Sequence, residues 1–213
     1  MLSEGYAGKV NNRQANFLSV IENSANRMNE LIHSLLNVTR LEAGNITVDV
    51  KPVDLNILCE EIIEALSRLA DDKNISIKLT SNATSNVDTD PILLRELITN
   101  LLSNAIKYSP GGGKVQINIR MKDRVIISVK DNGFGIPDRA KNYVFSKFYR
   151  AKNAVKYDVS GTGIGLYLAK QIADRLQGDI WFDSKLGKGT TFYFSLPLVG
   201  SSKKQGRFKL EVP

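Results

Sequence analysis

Apolar residues Leu18, Ile21, Ala25, Met28, Ile32 and Leu35 recur at alternating spacings of three and four within residues 16–41, the seam of a helical hairpin or coiled coil. Such a helix expects a partner. Upstream, Gly5-Tyr6-Ala7-Gly8 and Asn11-Asn12 read as a turn, so residues 1–4 would close a preceding helix. Gly44-Asn45 stops the long helix, and a connector alternates Ile46, Val48 and Val50. Asp54 then caps a second helix carrying Leu55, Leu58, Ile62, Leu66 and Leu69 at helical spacing. A strand follows at 75–79, and a helix from Pro91 to about Tyr108, broken by Pro110-Gly111-Gly112-Gly113. Val115, Ile117 and Ile119 alternate along one strand, and Val125, Ile127 and Val129 along the next. After Asp131 the pattern is irregular to about Val159, where Gly161 to Gly165 opens a helix ending near Leu176. Two last strands, 179–185 and 189–196, turn through Leu186-Gly187-Lys188-Gly189. This order predicts an α+β two-layer sandwich, a mixed sheet with helices on one face, preceded by a long helix. The divisions fall at 1–44, part of a helical hairpin, 45–198, the sandwich, and 199–213, a basic tail.

Composition narrows the class. With 42% hydrophobic and 24% charged residues the chain is an ordinary globular one, and its 213 residues hold one well-cored domain plus a helical appendage. Runs such as Ile92-Leu93-Leu94 fall far short of the roughly 20 apolar residues that span a bilayer, and no charged-then-apolar leader is present. A soluble, cytoplasmic protein is expected. Cys59 is the single cysteine, which excludes an internal disulfide and a cysteine-rich metal site and leaves a small core residue. The 29 Lys and Arg against 22 Asp and Glu favour anionic partners. Lys203, Lys204, Arg207 and Lys209, however, sit in the Gly/Ser-containing tail, read as solvated, and others flank glycine-rich segments suited to nucleotide phosphate. Nucleic acid is not the expected partner.

Four motifs carry chemistry. On the helix over 91–108, Asn100, Asn104 and Lys107 fall four and three apart, hence on one face. An Asn amide oxygen can complete a Mg²⁺ shell made of phosphate oxygens and water, and Lys holds phosphate as a point charge. The same spacing fits a solvated face. Asp131-Asn132-Gly133-Phe134-Gly135-Ile136-Pro137 places a carboxylate at a strand end, able to accept from an exocyclic amine, with glycines that admit a flat ligand; a plain turn is the alternative. Gly161-Thr162-Gly163-Ile164-Gly165-Leu166 opens a helix whose free N–H groups make an anion site, without the strand before it that a dinucleotide fingerprint requires. Gly187-Lys188-Gly189-Thr190-Thr191-Phe192 is a good hairpin turn in which Thr190 offers a hydroxyl.

In this order, and with Phe145-Ser146-Lys147-Phe148-Tyr149-Arg150 between the glycine segments, the motifs resemble the N box, glycine boxes and F box of sensor histidine kinase catalytic domains, over about residues 54–197. Residues 26–44 resemble the second helix of that family's dimerisation and phosphoacceptor hairpin. The resemblance implies the Bergerat ATP-binding fold with ATP and Mg²⁺ as cofactors. It makes Asn104 the Mg²⁺ ligand and sets Asn100, Lys107 and Tyr108 beside the phosphates. Asp131 falls on the adenine amine, with Gly133, Gly135 and Ile136 shaping the base pocket and Thr190 beside it. Residues 148–161 resemble the ATP lid, with Phe145 and Phe148 packing its base and Arg150 a phosphate contact; Gly161, Thr162, Gly163, Ile164, Gly165 and Leu166 form the second glycine box. Lys152 and Lys156 lie in the lid as phosphate contacts or as exposed loop residues. Asn100, Lys107 and Arg150 are the implied catalytic residues.

Gyrase, mismatch-repair and heat-shock chaperone ATPases of the wider superfamily hydrolyse ATP with a glutamate one turn before the Mg²⁺-binding asparagine. Asn100 holds that position here, and an amide is no general base, so phosphoryl transfer to another nucleophile is expected. Glu96 is then structural or a helper to the acceptor imidazole. The implied partners are a phosphoacceptor helix and a response regulator receiver domain, with a homodimeric parent. No His-Glu-x-x-Thr-Pro-like acceptor segment occurs, so the chain is expected to act in trans. Its one histidine, His33, is read as an exposed residue on the flank of the first helix. An anti-sigma type serine kinase would share the nucleotide site, but the seam helix favours the sensor-kinase arrangement; a module that only senses ATP is the other reading.

Overall fold

A computed structural model describes residues 10–84, 86–152, 154, 161–197, 206 and 208–210. The turn expected at Gly5 to Gly8 lies outside them. Helix α1, Asn12–Glu42, starts earlier than its seam because Asn11 and Gln14 form a reciprocal capping box. It ends at Gly44, whose φ of 66° is a left-handed conformation. The outward seam stays bare among the described residues: Ile21, Met28, Ile32 and Leu35 are exposed, whereas Val38 and Leu41 are buried where α1 meets α6, Gly165–Arg175.

Asp54 caps α2, Leu55–Ala65, by accepting from the Asn56 and Ile57 amides. The single helix expected through Leu69 is two. The chain leaves the α2 axis at Leu66, with φ −98° and ψ 4°, and α3, Ser67–Asp71, follows. Leu66 and Leu69 still pack on the core, which is why their spacing looked continuous. The sequence reading also missed an antiparallel pair, β1 Lys51–Val53 and β3 Val87–Thr89, too short to display a period of two.

The main sheet holds β2 (Ser76–Ser81), β4 (Lys114–Met121), β5 (Arg124–Asp131), β6 (Asp179–Lys185) and β7 (Gly189–Pro197) in the order β2-β4-β5-β7-β6. Only β2 and β4 are parallel neighbours, so the sheet is mixed. Against it lies α4, Pro91–Lys107, flanked by α2 and α6. Leu94, Leu97, Ile98, Leu101, Leu102 and Ile106 are wholly buried and fix which face of α4 turns to the sheet. Asp90 starts α4, its Oδ1 accepting from Ile92 and Leu93 and its Oδ2 from the Asp49 amide. A short helix, α5 (Asp138–Lys141), lies between β5 and α6.

The tail departs from expectation. Phe208 bridges to Ile46, its carbonyl accepting from Thr47 N at 2.8 Å and its amide donating to Asn45 O at 3.0 Å. Arg40 of α1 stands 4.7 Å over the Phe208 ring and Leu210 is buried, so apolar contact outweighs the solvation of the neighbouring charges. Lys209 is exposed, and Lys203, Lys204 and Arg207 lie outside the described residues. Among the described residues no helix is long and apolar enough to cross a membrane.

Candidate functional site

One cavity of about 830 Å³ lies between α4, the loop after β5 and the start of α6. The face of α4 left over from core packing supplies Asn100, Asn104, Lys107 and Tyr108 to it. Asn100 is fixed: its Nδ2 donates to the Glu96 carbonyl and to Glu96 Oε1, both at 2.8 Å. Its Oδ1 faces the first residue of α6, since a Cβ on Gly165 would stand 2.6 Å from it. A side chain there is excluded unless Asn100 shifts. Burial pushes the Glu96 carboxyl above its ordinary value, partly opposed by the bond from Asn100.

Asp131 closes the opposite end. It is 6% exposed, and its Oδ1 accepts from Gly133 N at 2.7 Å and Thr190 N at 3.1 Å. Neither bond uses Oδ2. Burial raises this carboxyl too, against the pull of the two backbone bonds. Thr190 Oγ1 lies 2.9 Å from Ser184 Oγ, which also accepts from Ile136 N at 2.8 Å. The sequence reading missed Ser184; the signal lay in the β6–β7 register, which pairs it with Thr190.

Gly135, Ile136, Arg150, Gly161, Thr162 and Gly163 also line the cavity, with Gly165, Leu166 and Thr190. Three expected residues are not on the lining: Gly133, which packs under Tyr108 O, Ile164, which is buried in the core, and Phe148. Phe145 packs edge-on to Phe182 and Phe192, but Phe148 is 59% exposed and packs no base. Its φ of 59° turns the chain so that Gly163 can sit against its backbone. Lys152 is exposed, and Lys156 lies outside the described residues. Cys59 is fully buried in the core, its thiol pushed up to about 12 by burial.

The largest correction concerns His33. It is not an exposed flank residue but half-buried on the lining of this cavity, with Ser34 and Asn37 of α1. The cause is tertiary. Val38 and Leu41 pack α1 against α6, and Glu42, at the end of α1, adds bonds by accepting from Lys147 Nζ at 2.7 Å and from the Tyr167 hydroxyl on α6.

Among the described residues no three His, Cys, Asp or Glu converge, so a cation here would rest on amide oxygens, such as that of Asn104, and on its ligand's phosphates. That donor set fits Mg²⁺ brought in by a nucleotide.

The family model described as histidine kinase-, DNA gyrase B-, and HSP90-like ATPase matches residues 89–200. The chain is 33% identical over 194 residues to the circadian input-output histidine kinase CikA of Synechococcus elongatus, covering 89% of this chain and 26% of that protein. It is 34% identical over 184 residues to the sensor histidine kinase WalK of Bacillus subtilis, covering 85% and 30%. It thus spans less than a third of the length of either relative. Full-length ShkA, solved in complex with AMPPNP, aligns with a TM-score of 0.78 at 24% identity, covering 94% of this chain and 42% of ShkA, a likeness of fold.

Proposed function

Since this chain belongs to the histidine kinase-, DNA gyrase B-, and HSP90-like ATPase family, as the ATP-binding catalytic domain of a sensor histidine kinase, we propose that it donates the γ-phosphoryl group of ATP to a histidine on a hairpin helix outside these residues. The phosphoryl group then passes to a response regulator receiver domain. The observation that carries this reading is the state of Asn100, an amide committed to Glu96 and seated against Gly165 where a hydrolase needs a base. Glu96 stands a further turn back from that position and spends Oε1 on orienting Asn100.

Asp131 Oδ2 takes the adenine amine, and Ile136 and Thr190 bound the base. Lys107 and Arg150 draw charge off the phosphates, and the N–H groups at the start of α6 receive a terminal oxygen. Mg²⁺, held by Asn104, would neutralise charge on the transferring group. Phosphoryl transfer asks for positioning and charge neutralisation, which these residues supply without a covalent step of their own. The exposed seam of α1, with Ile21, Met28, Ile32 and Leu35, supports a helical partner and a homodimeric parent. Calorimetry with Mg·ATP tests the reading: micromolar-range binding with negligible phosphate release is expected, and rapid steady-state hydrolysis overturns it.

A further inference from the structure

The nucleotide cavity has a wall that the sandwich does not supply. Its lining takes in Asp131 and Thr190, then Lys107, Asn104, Asn100 and Glu96 of α4, and from α1 it takes in His33, Ser34 and Asn37, with Val20 and Ser24 further up the same helix. If the base sits at Asp131, the terminal phosphate points away from it, toward Asn100 and the start of α6, which α1 crosses. Val38 and Leu41 are buried there, and Glu42 binds Lys147 and Tyr167. His33 stands two and a half turns before Glu42, roughly 13 Å along the helix.

The chemistry of this wall suits a phosphate. No carboxylate of α1 lines the cavity among the described residues; the polar groups α1 brings are the imidazole, the Asn37 amide and the hydroxyls of Ser24 and Ser34. An imidazole presents an N–H donor in either protonation state. Among the described residues the charged groups sharing the cavity are Lys107 and Arg150, Asp131, and Glu96, which accepts from Asn100.

We propose that His33 contacts the terminal phosphate of bound ATP, so that the nucleotide bridges α1 and the sandwich. This rests on the ATP reading above and adds a regulatory consequence. ATP occupancy tightens the docking of α1, and ADP, which lacks the bridging group, releases it. By linkage, whatever holds α1 in place raises affinity for ATP over ADP.

Because His33 is the only histidine, its imidazole gives a single, unambiguous set of side-chain signals in ¹⁵N-edited NMR of the intact chain. On titration with Mg·ATP those signals are expected to move, and with adenosine to stay. In parallel, His33→Leu and His33→Ala, which carry no donor, should weaken ATP binding roughly three- to tenfold, the yield of one net hydrogen bond, and change adenosine affinity less than about twofold. An imidazole unmoved at saturating ATP, or variants that bind ATP as the parent does, overturns the inference alone. Failure of the parent chain to bind ATP overturns the nucleotide reading and this inference with it.

Discussion

Asn100 donates its side-chain amide to Glu96 Oε1 at 2.8 Å, one helical turn back on α4. Burial raises the Glu96 carboxyl above its ordinary 4.5. The folded state therefore keeps a proton that the unfolded chain gives up, and stability falls as pH rises through the raised value. Glu96→Gln removes that cost and keeps an acceptor for Asn100. The variant should melt at or above the parent's temperature at neutral pH, with the gap closing as pH falls toward 4.5, and bind ATP within about twofold of the parent. A lower melting temperature at neutral pH contradicts this account of Glu96.

Asp131 spends Oδ1 on two backbone amides, and the proposed adenine contact falls to Oδ2. An Asn there still accepts from Gly133 and Thr190 through Oδ1 but offers the base an amide nitrogen instead of Oδ2. Asp131→Asn should fold normally and lose ATP and adenosine affinity alike, by about tenfold or more, the worth of a charge-assisted hydrogen bond. Unchanged calorimetric affinity removes Asp131 from the base pocket. Asp131→Ala also strands both amides, so it should lower the denaturation midpoint as well.

Lys73 secures the end of α4 from outside the site. Its Nζ donates to the carbonyls of Ile106, Lys107 and Ser109 at 2.7–3.0 Å, at and just past the helix end, where Ile106 O also accepts from Ser109 N at 3.4 Å. Lys73→Met should destabilise the chain by about 1–3 kcal/mol in urea denaturation, because those carbonyls lose this donor. A midpoint equal to the parent's contradicts this.

The contact of Glu42 with Lys147 and Tyr167 holds α1 down with a pH signature. The hydrogen bond from Lys147, and then that from Tyr167, lower the Glu42 carboxyl below 4.5. Its contribution is present above the ordinary carboxylate value and lost as pH falls through the lowered one. Amide exchange at Val38 and Leu41 should quicken in Glu42→Gln at neutral pH, and in the parent only below pH 4.5. Both groups are partly exposed, so the effect is small and shrinks with salt.

Local patterns made much of this legible. The helix over 91–108 was readable because its apolar period and Pro91 start agree with burial, and the sheet's hairpins because Val115 to Val129 alternate. Asn100, Asn104 and Lys107 converge because one periodicity sets both the core face and the face left over. The misses share a different cause. His33 lines the cavity because Val38 and Leu41 pack α1 against a helix far along the chain, Ser184 matters only through strand register, and Phe208 returns to Ile46 through a bridge no local window contains. Leu66 kept its apolar spacing across a break in the helix axis, so periodicity alone could not show the break.

The most direct test of donation from this site is transfer in trans. The chain is mixed with γ-labelled Mg·ATP and a separately made protein carrying the phosphoacceptor helix. Acid-labile, base-stable label on the acceptor protein, lost in Asn104→Ala, is the predicted result. Label released as free phosphate, with none on the acceptor, contradicts it.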